Sequence, residues 1–85
     1  MKAFDYTITS PNGLHMRPAG LFSQKMQEFK SSIVLKRDEQ EADTKKLMAI
    51  MKLRPKCGQL ITVSAQGEDE DAAIEAAKEF LTANL

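Results

Sequence analysis

The chain has one cysteine, one histidine and no net charge, and each shortage removes a class of function. Cys57 has no partner for an internal disulfide and no companions at metal-ligand spacing, so a reducing compartment and inert packing are expected of it. Twelve acidic residues balance twelve basic ones, so no overall field draws the protein to nucleic acid or to a membrane. Four phenylalanines and one tyrosine make no stacking platform for bases. No apolar run approaches the roughly 20 residues of a membrane helix, and no charged-then-apolar leader opens the chain. A soluble, cytoplasmic monomer is expected, without metal or cofactor and without membrane insertion. Its 85 residues suit one small domain, residues 1–85, with a single modest core.

What is present is organised by short periodic segments. Phe4, Tyr6 and Ile8 alternate with Asp5, Thr7 and Thr9, which predicts a strand with one buried face. Ser10-Pro11-Asn12-Gly13 ends it, and Pro18 suits the first turn of a helix. Ala19, Phe22, Met26 and Phe29 then recur at helical spacing, so a helix is expected over residues 16–29. Ile33 to Lys36 predicts a second strand, and Asp38-Glu39 a turn into a weak edge strand near residues 40–43, with only Ala42 to bury. Leu47, Met48, Ile50, Met51 and Leu53 are spaced for a short helix that Pro55 and Gly58 end. Residues 60–65 predict a strand facing inward through Ile61, Val63 and Ala65. A last helix to about Asn84 follows, with Asp69 expected to cap it and Ala73, Ile74, Ala77, Phe80 and Leu81 inward. The order is β-α-β-β-α-β-α. Strands with one apolar face each indicate an α+β, two-layer sandwich, one sheet covered on one side by helices.

The only histidine falls where a loop becomes the first helix. His15 therefore stands beside the backbone N–H groups of Met16 and Arg17, which lack helical partners and sit at the positive end of the macrodipole. A lone histidine at such a junction can serve simply as a cap, and Arg17 can pair with a surface acid. No second histidine is available to share a metal, and no other nucleophile nearby supports a triad. A phosphoryl acceptor asks for less: an accessible neutral ring nitrogen and donors for phosphate oxygens. Arg17 suits the second task, since its planar fork matches phosphate and each charge-assisted bond contributes about 1.5–3 kcal/mol.

The segment Ser10-Pro11-Asn12-Gly13-Leu14-His15-Met16-Arg17-Pro18-Ala19 closely resembles the active-site segment of the HPr family, the histidine-containing phosphocarriers of the bacterial sugar phosphotransferase system. The resemblance spans the chain, through the short helix around Leu47 to Leu53, Gly58 and the stretch Val63-Ser64-Ala65-Gln66-Gly67-Glu68-Asp69-Glu70. It implies a βαββαβα open-faced sandwich, its four-stranded antiparallel sheet covered on one face by three helices. It also implies a carrier rather than an enzyme. Phospho-enzyme I would load Nδ1 of His15, and IIA proteins or domains of sugar permeases would unload it. Arg17 would bind the phosphate with the Met16 and Arg17 amides, while Asn12 and Pro18 shape the loop and the helix start. The partner surface implied beside this site is Leu47, Met48 and Met51, edged by Lys45, Lys46 and Lys52. Flexible methionines suit several unrelated partners, and the basic edge favours acidic ones.

Two departures bear on that reading. Many relatives carry a serine where Lys46 stands; it caps the second helix and, in Gram-positive members, is phosphorylated by a regulatory kinase. Lysine has no hydroxyl and caps poorly, so Thr44 or Asp43 is expected to take over. Arg54-Pro55-Lys56-Cys57 likewise replaces a small, glycine-containing loop. These leave an alternative open: an HPr-like regulatory paralogue, in a nitrogen-type phosphotransferase branch or acting as a non-phosphorylated binding module.

Overall fold

A computed structural model of the chain describes residues 1–85. Strands β1 (Lys2–Thr7), β2 (Ser32–Arg37), β3 (Gln40–Asp43) and β4 (Leu60–Gln66) alternate with helices α1 (Met16–Met26), α2 (Leu47–Leu53) and α3 (Glu70–Asn84) in the order β1-α1-β2-β3-α2-β4-α3. The strands form one antiparallel sheet in the order β1-β4-β2-β3. Central β4 pairs Val63 with Phe4 on one side and with Leu35 on the other, so the apolar faces of three strands coincide. Ile33, Leu35, Ile61, Val63 and Ala65 are all buried on that face, and Ala42 is the one contribution of edge strand β3. On the buried side, the sequence expectations for β3 (Ala42) and β4 (Ile61, Val63 and Ala65) hold residue for residue.

The helices cover this face. α3 lies over β1 and β4, α1 packs against α2 and α3, and α2 packs against β3. Phe22 of α1 is fully buried, with its ring centroid 5.3 Å from that of Phe80 at 40°. Met26, Ile50, Leu53, Ala73, Ala77 and Leu81 complete the layer. Each large apolar side chain so buried contributes about 1.5–3 kcal/mol, which lets a chain this short do without crosslinks. No helix is long and apolar enough to cross a membrane.

Two expectations are corrected. The first helix ends at Met26 rather than Phe29, because Glu28 and Phe29 donate to Lys25 and Met26, three residues back, and tighten the last turn. Lys45 Nζ then donates to the Phe29 carbonyl at 2.6 Å. Asp69 stands at the N-cap position of α3 but makes no side-chain cap. Its carboxylate instead accepts from the N–H groups of Lys30 and Ser31, at 2.8 and 2.9 Å, and from the Ser31 hydroxyl. Those donors hold it at about 2, well below its ordinary 3.8, the Ser31 hydroxyl acting most strongly. Gly67 allows the approach: its φ is +151°, and a Cβ there would stand 2.7 Å from Ser31 Oγ. The cap is given up to tie α3 to the start of β2.

Candidate functional site

The loop before α1 is shaped by one close contact. Gly13 has φ +65°, and a Cβ on it would lie 2.6 Å from the Pro55 carbonyl oxygen. The Leu14 N–H donates to that same oxygen at 2.9 Å, and the Leu14 side chain is buried. Behind the loop, the Leu85 carbonyl accepts from the N–H groups of Thr9 and Ser10 and from the Thr9 hydroxyl. With Leu14 anchored inward, the next residue must project outward. His15 does so, exposed, at the N-cap of α1 in extended conformation.

The His15 side chain does not cap the helix. Its Nδ1 lies 3.2 Å from the Gly13 carbonyl oxygen, which only accepts, so a hydrogen bond there has Nδ1–H as its donor. The His15 carbonyl starts the helix by accepting from Ala19 N–H at 2.9 Å. The N–H groups of Met16 and Arg17 find no acceptor, as the first turn of a helix dictates, and α1 has no acid in that turn to occupy them. Pro18 follows as the third helical residue, where a missing N–H costs nothing. An exposed imidazole beside two open amides can receive an anion.

The cations are arranged differently from expectation. Arg17 is exposed and takes part in none of the four ion pairs. It does not line the pocket of about 250 Å³ next to the histidine, which is formed by Asn12, Leu14, His15, Met51, Arg54, Pro55 and Lys56. The structure thus unites His15, Asn12 and Met51 and adds Arg54 and Lys56, which the sequence marks only as part of a loop of unusual composition. Their signal was that composition, but nothing local in it predicts the contact of Pro55 with Gly13. A wider hollow lined by Lys36, Arg37, Asp38, Gln59, Leu60 and Thr62 opens on the uncovered side of the sheet, with mixed charge and no histidine.

The candidate partner surface continues from the pocket along α2. Ile50 and Leu53 face the core, Leu47 and Met51 are half-buried, and Met48 is 67% exposed. Met16 of α1 is also exposed, at 62%. Lys46 and Lys52 are exposed at its edge, whereas the Lys45 ammonium is occupied by the Phe29 carbonyl. The expected replacement cap for α2 is absent. Thr44, fully buried, donates its hydroxyl to the Ile33 carbonyl, and Asp43 accepts from Lys45 N–H, short of the helix. Lys46 stands at the N-cap and makes no side-chain bond there.

Comparison with known proteins identifies the family and the fold. The family model described as "PTS HPr component phosphorylation site" matches residues 2–83. The phosphocarrier protein HPr of Lysinibacillus sphaericus is 38% identical over 82 residues, 96% of this chain and 93% of that protein. The HPr-like protein Crh of Bacillus subtilis is similar at 41% identity over 63 residues, 74% of each chain. A solved structure of the histidine-containing phosphocarrier protein of Mycoplasma superposes with a TM-score of 0.94 at 34% identity, covering 96% of this chain and 93% of that one. The chain belongs to the HPr family, the phosphocarrier proteins of the phosphotransferase system.

Proposed function

We propose that His15 is the residue that carries the phosphoryl group, accepting it from phospho-enzyme I and passing it to IIA proteins or domains in the cytoplasm. The observation that carries this reading is the placement of an exposed imidazole directly before two unpaired amides at the start of α1. Loading requires His15 Nδ1 to give up the Gly13 carbonyl. Nδ1 passes its proton to solvent while Nε2 takes one up, and the freed Nδ1 lone pair forms the Nδ1–P bond as the donor's N–P bond breaks, its electron pair staying on the donor nitrogen. The phosphoryl oxygens then fall to the Met16 and Arg17 amides and to the Arg17 guanidinium. The helix end adds about 0.3–1 kcal/mol and each arginine bond about 1.5–3 kcal/mol. Neither reaches the scale of a permanent bond. That balance suits a group that must be surrendered again.

Leu47, Met48, Met51 and Met16 form the apolar part of the docking surface in this reading, with Lys46 and Lys52 at its rim. The protein works as a monomer and is turned over by its partners rather than acting as an enzyme. Incubation with phosphoenolpyruvate and enzyme I tests it: an acid-labile phosphoryl mass gain is expected, and His15→Ala should abolish it. No gain with any enzyme I of the source organism would defeat the reading.

Lys46 favours one second reading. A positive, non-capping residue at the start of α2 alters the docking surface, as a regulatory paralogue with a restricted partner set would require. A paralogue that acts as a non-phosphorylated binding module would retain its cellular role and all its partners in His15→Ala.

A further inference from the structure

Arg54 ends α2 with φ +46° and ψ +58°, a left-handed conformation normally given to glycine. A Cβ is carried there at a cost in strain, and the side chain makes no hydrogen bond to the helix end. The Leu53 carbonyl at the helix end is already satisfied by Arg37 Nε at 2.9 Å. Arg54 itself enters none of the ion pairs. It lines the pocket next to His15, together with Lys56, and no carboxylate faces them there. The spacing between these groups is held by backbone, since Pro55 accepts from Leu14 N–H at 2.9 Å and packs against Gly13. A cation whose backbone is held beside an acceptor histidine, unpaired and at a strained φ, is arranged for an anion that arrives with the histidine's chemistry.

We propose that Arg54 is a second phosphoryl-binding residue. Its guanidinium takes oxygens of the group on His15 from the pocket side, while the Met16 and Arg17 amides take them from the helix side. The inference rests on the carrier reading above and adds to it a residue that the loop's unusual composition supplies. Arginine's planar fork matches two phosphoryl oxygens, whereas Lys56 offers only a point charge at the pocket rim. A cation so placed favours the fully ionised phosphoryl group over its singly protonated form.

The test uses phosphoramidate, a small-molecule donor that phosphorylates histidine with no protein partner, followed by a 31P NMR pH titration. Arg54→Gly is the principal variant because glycine suits the backbone conformation and the fold should survive. The midpoint of the last phosphoryl ionisation is expected to rise by about half a pH unit in Arg54→Gly, as loss of one nearby charge in water-exposed surroundings implies. Arg54→Lys should restore most of that shift, which a purely structural role for residue 54 would not produce. A titration in Arg54→Gly that superimposes on the wild type overturns this proposal alone. Absence of any phosphohistidine signal in the wild type overturns the carrier reading, and this inference with it.

Discussion

At the scale of single residues, two positive-φ positions face each other across the site and predict opposite outcomes. Gly13 combines φ +65° with a Pro55 carbonyl where its Cβ would stand. Gly13→Ala should therefore lose roughly 1–3 kcal/mol, read as a lowered midpoint in urea unfolding. An unchanged midpoint would mean that the loop yields without cost. Arg54→Gly should instead gain roughly 0.5–1 kcal/mol, the Cβ penalty of about 1–2 kcal/mol less the greater freedom of unfolded glycine. A lowered thermal midpoint in that variant would contradict the strain assigned to φ +46°. Residues 12–19 announced His15, the loop and the helix start, because turn and cap chemistry is local. The use of Gly13 was visible only as a turn signal. Its real constraint comes from Pro55, forty-two positions on.

At the scale of elements, helix ends decide two further outcomes. α2 begins at Lys46 without a side-chain cap, in an extended backbone conformation that a serine would use to reach the first-turn amides. Lys46→Ser is predicted to raise stability by about 1 kcal/mol in chemical denaturation, and an equal or lower value would show that another group already serves those amides. Asp69 sets the acid behaviour of the α3 junction. Its folded value of about 2 lies below the ordinary 3.8, so as pH falls the unfolded chain takes the proton first. The stabilisation is full above 3.8 and drains away as pH falls towards about 2. Glu70 acts in the same direction, held down chiefly by the Gly67 N–H. Asp69→Asn should flatten the stability profile across that window, and an acid limb as steep as the wild type's would contradict the assignment. The sequence identified Asp69 as a helix-start residue, correctly in position. Its actual donors, Lys30 and Ser31, lie in another element and carry no local signal.

At the scale of the whole molecule, the period-two and helical patterns were strong enough to give the element order and the buried face of the sheet. They were strong because each element has one apolar side and must bury it. Pairing of loops that are distant in sequence was not legible, and it is there that Arg54 and Lys56 join the His15 pocket. The same geometry makes docking a property of two helices together. Met48 and Lys52 are exposed on α2, and Met16 is exposed on α1. Lys52→Glu should slow phosphoryl transfer from enzyme I at low salt, with the difference shrinking as ionic strength rises and the Debye length falls below about 8 Å. A rate insensitive to both changes would remove the basic edge from the encounter. Carriage of phosphate by His15 depends on amides at the start of α1 receiving the phosphoryl group. Proton–nitrogen NMR spectra recorded before and after phosphorylation measure this directly: the Met16 and Arg17 amide protons should move downfield as they acquire an anionic acceptor, while amides of the sheet stay in place. Phosphorylation of His15 that leaves those two resonances unmoved would contradict it.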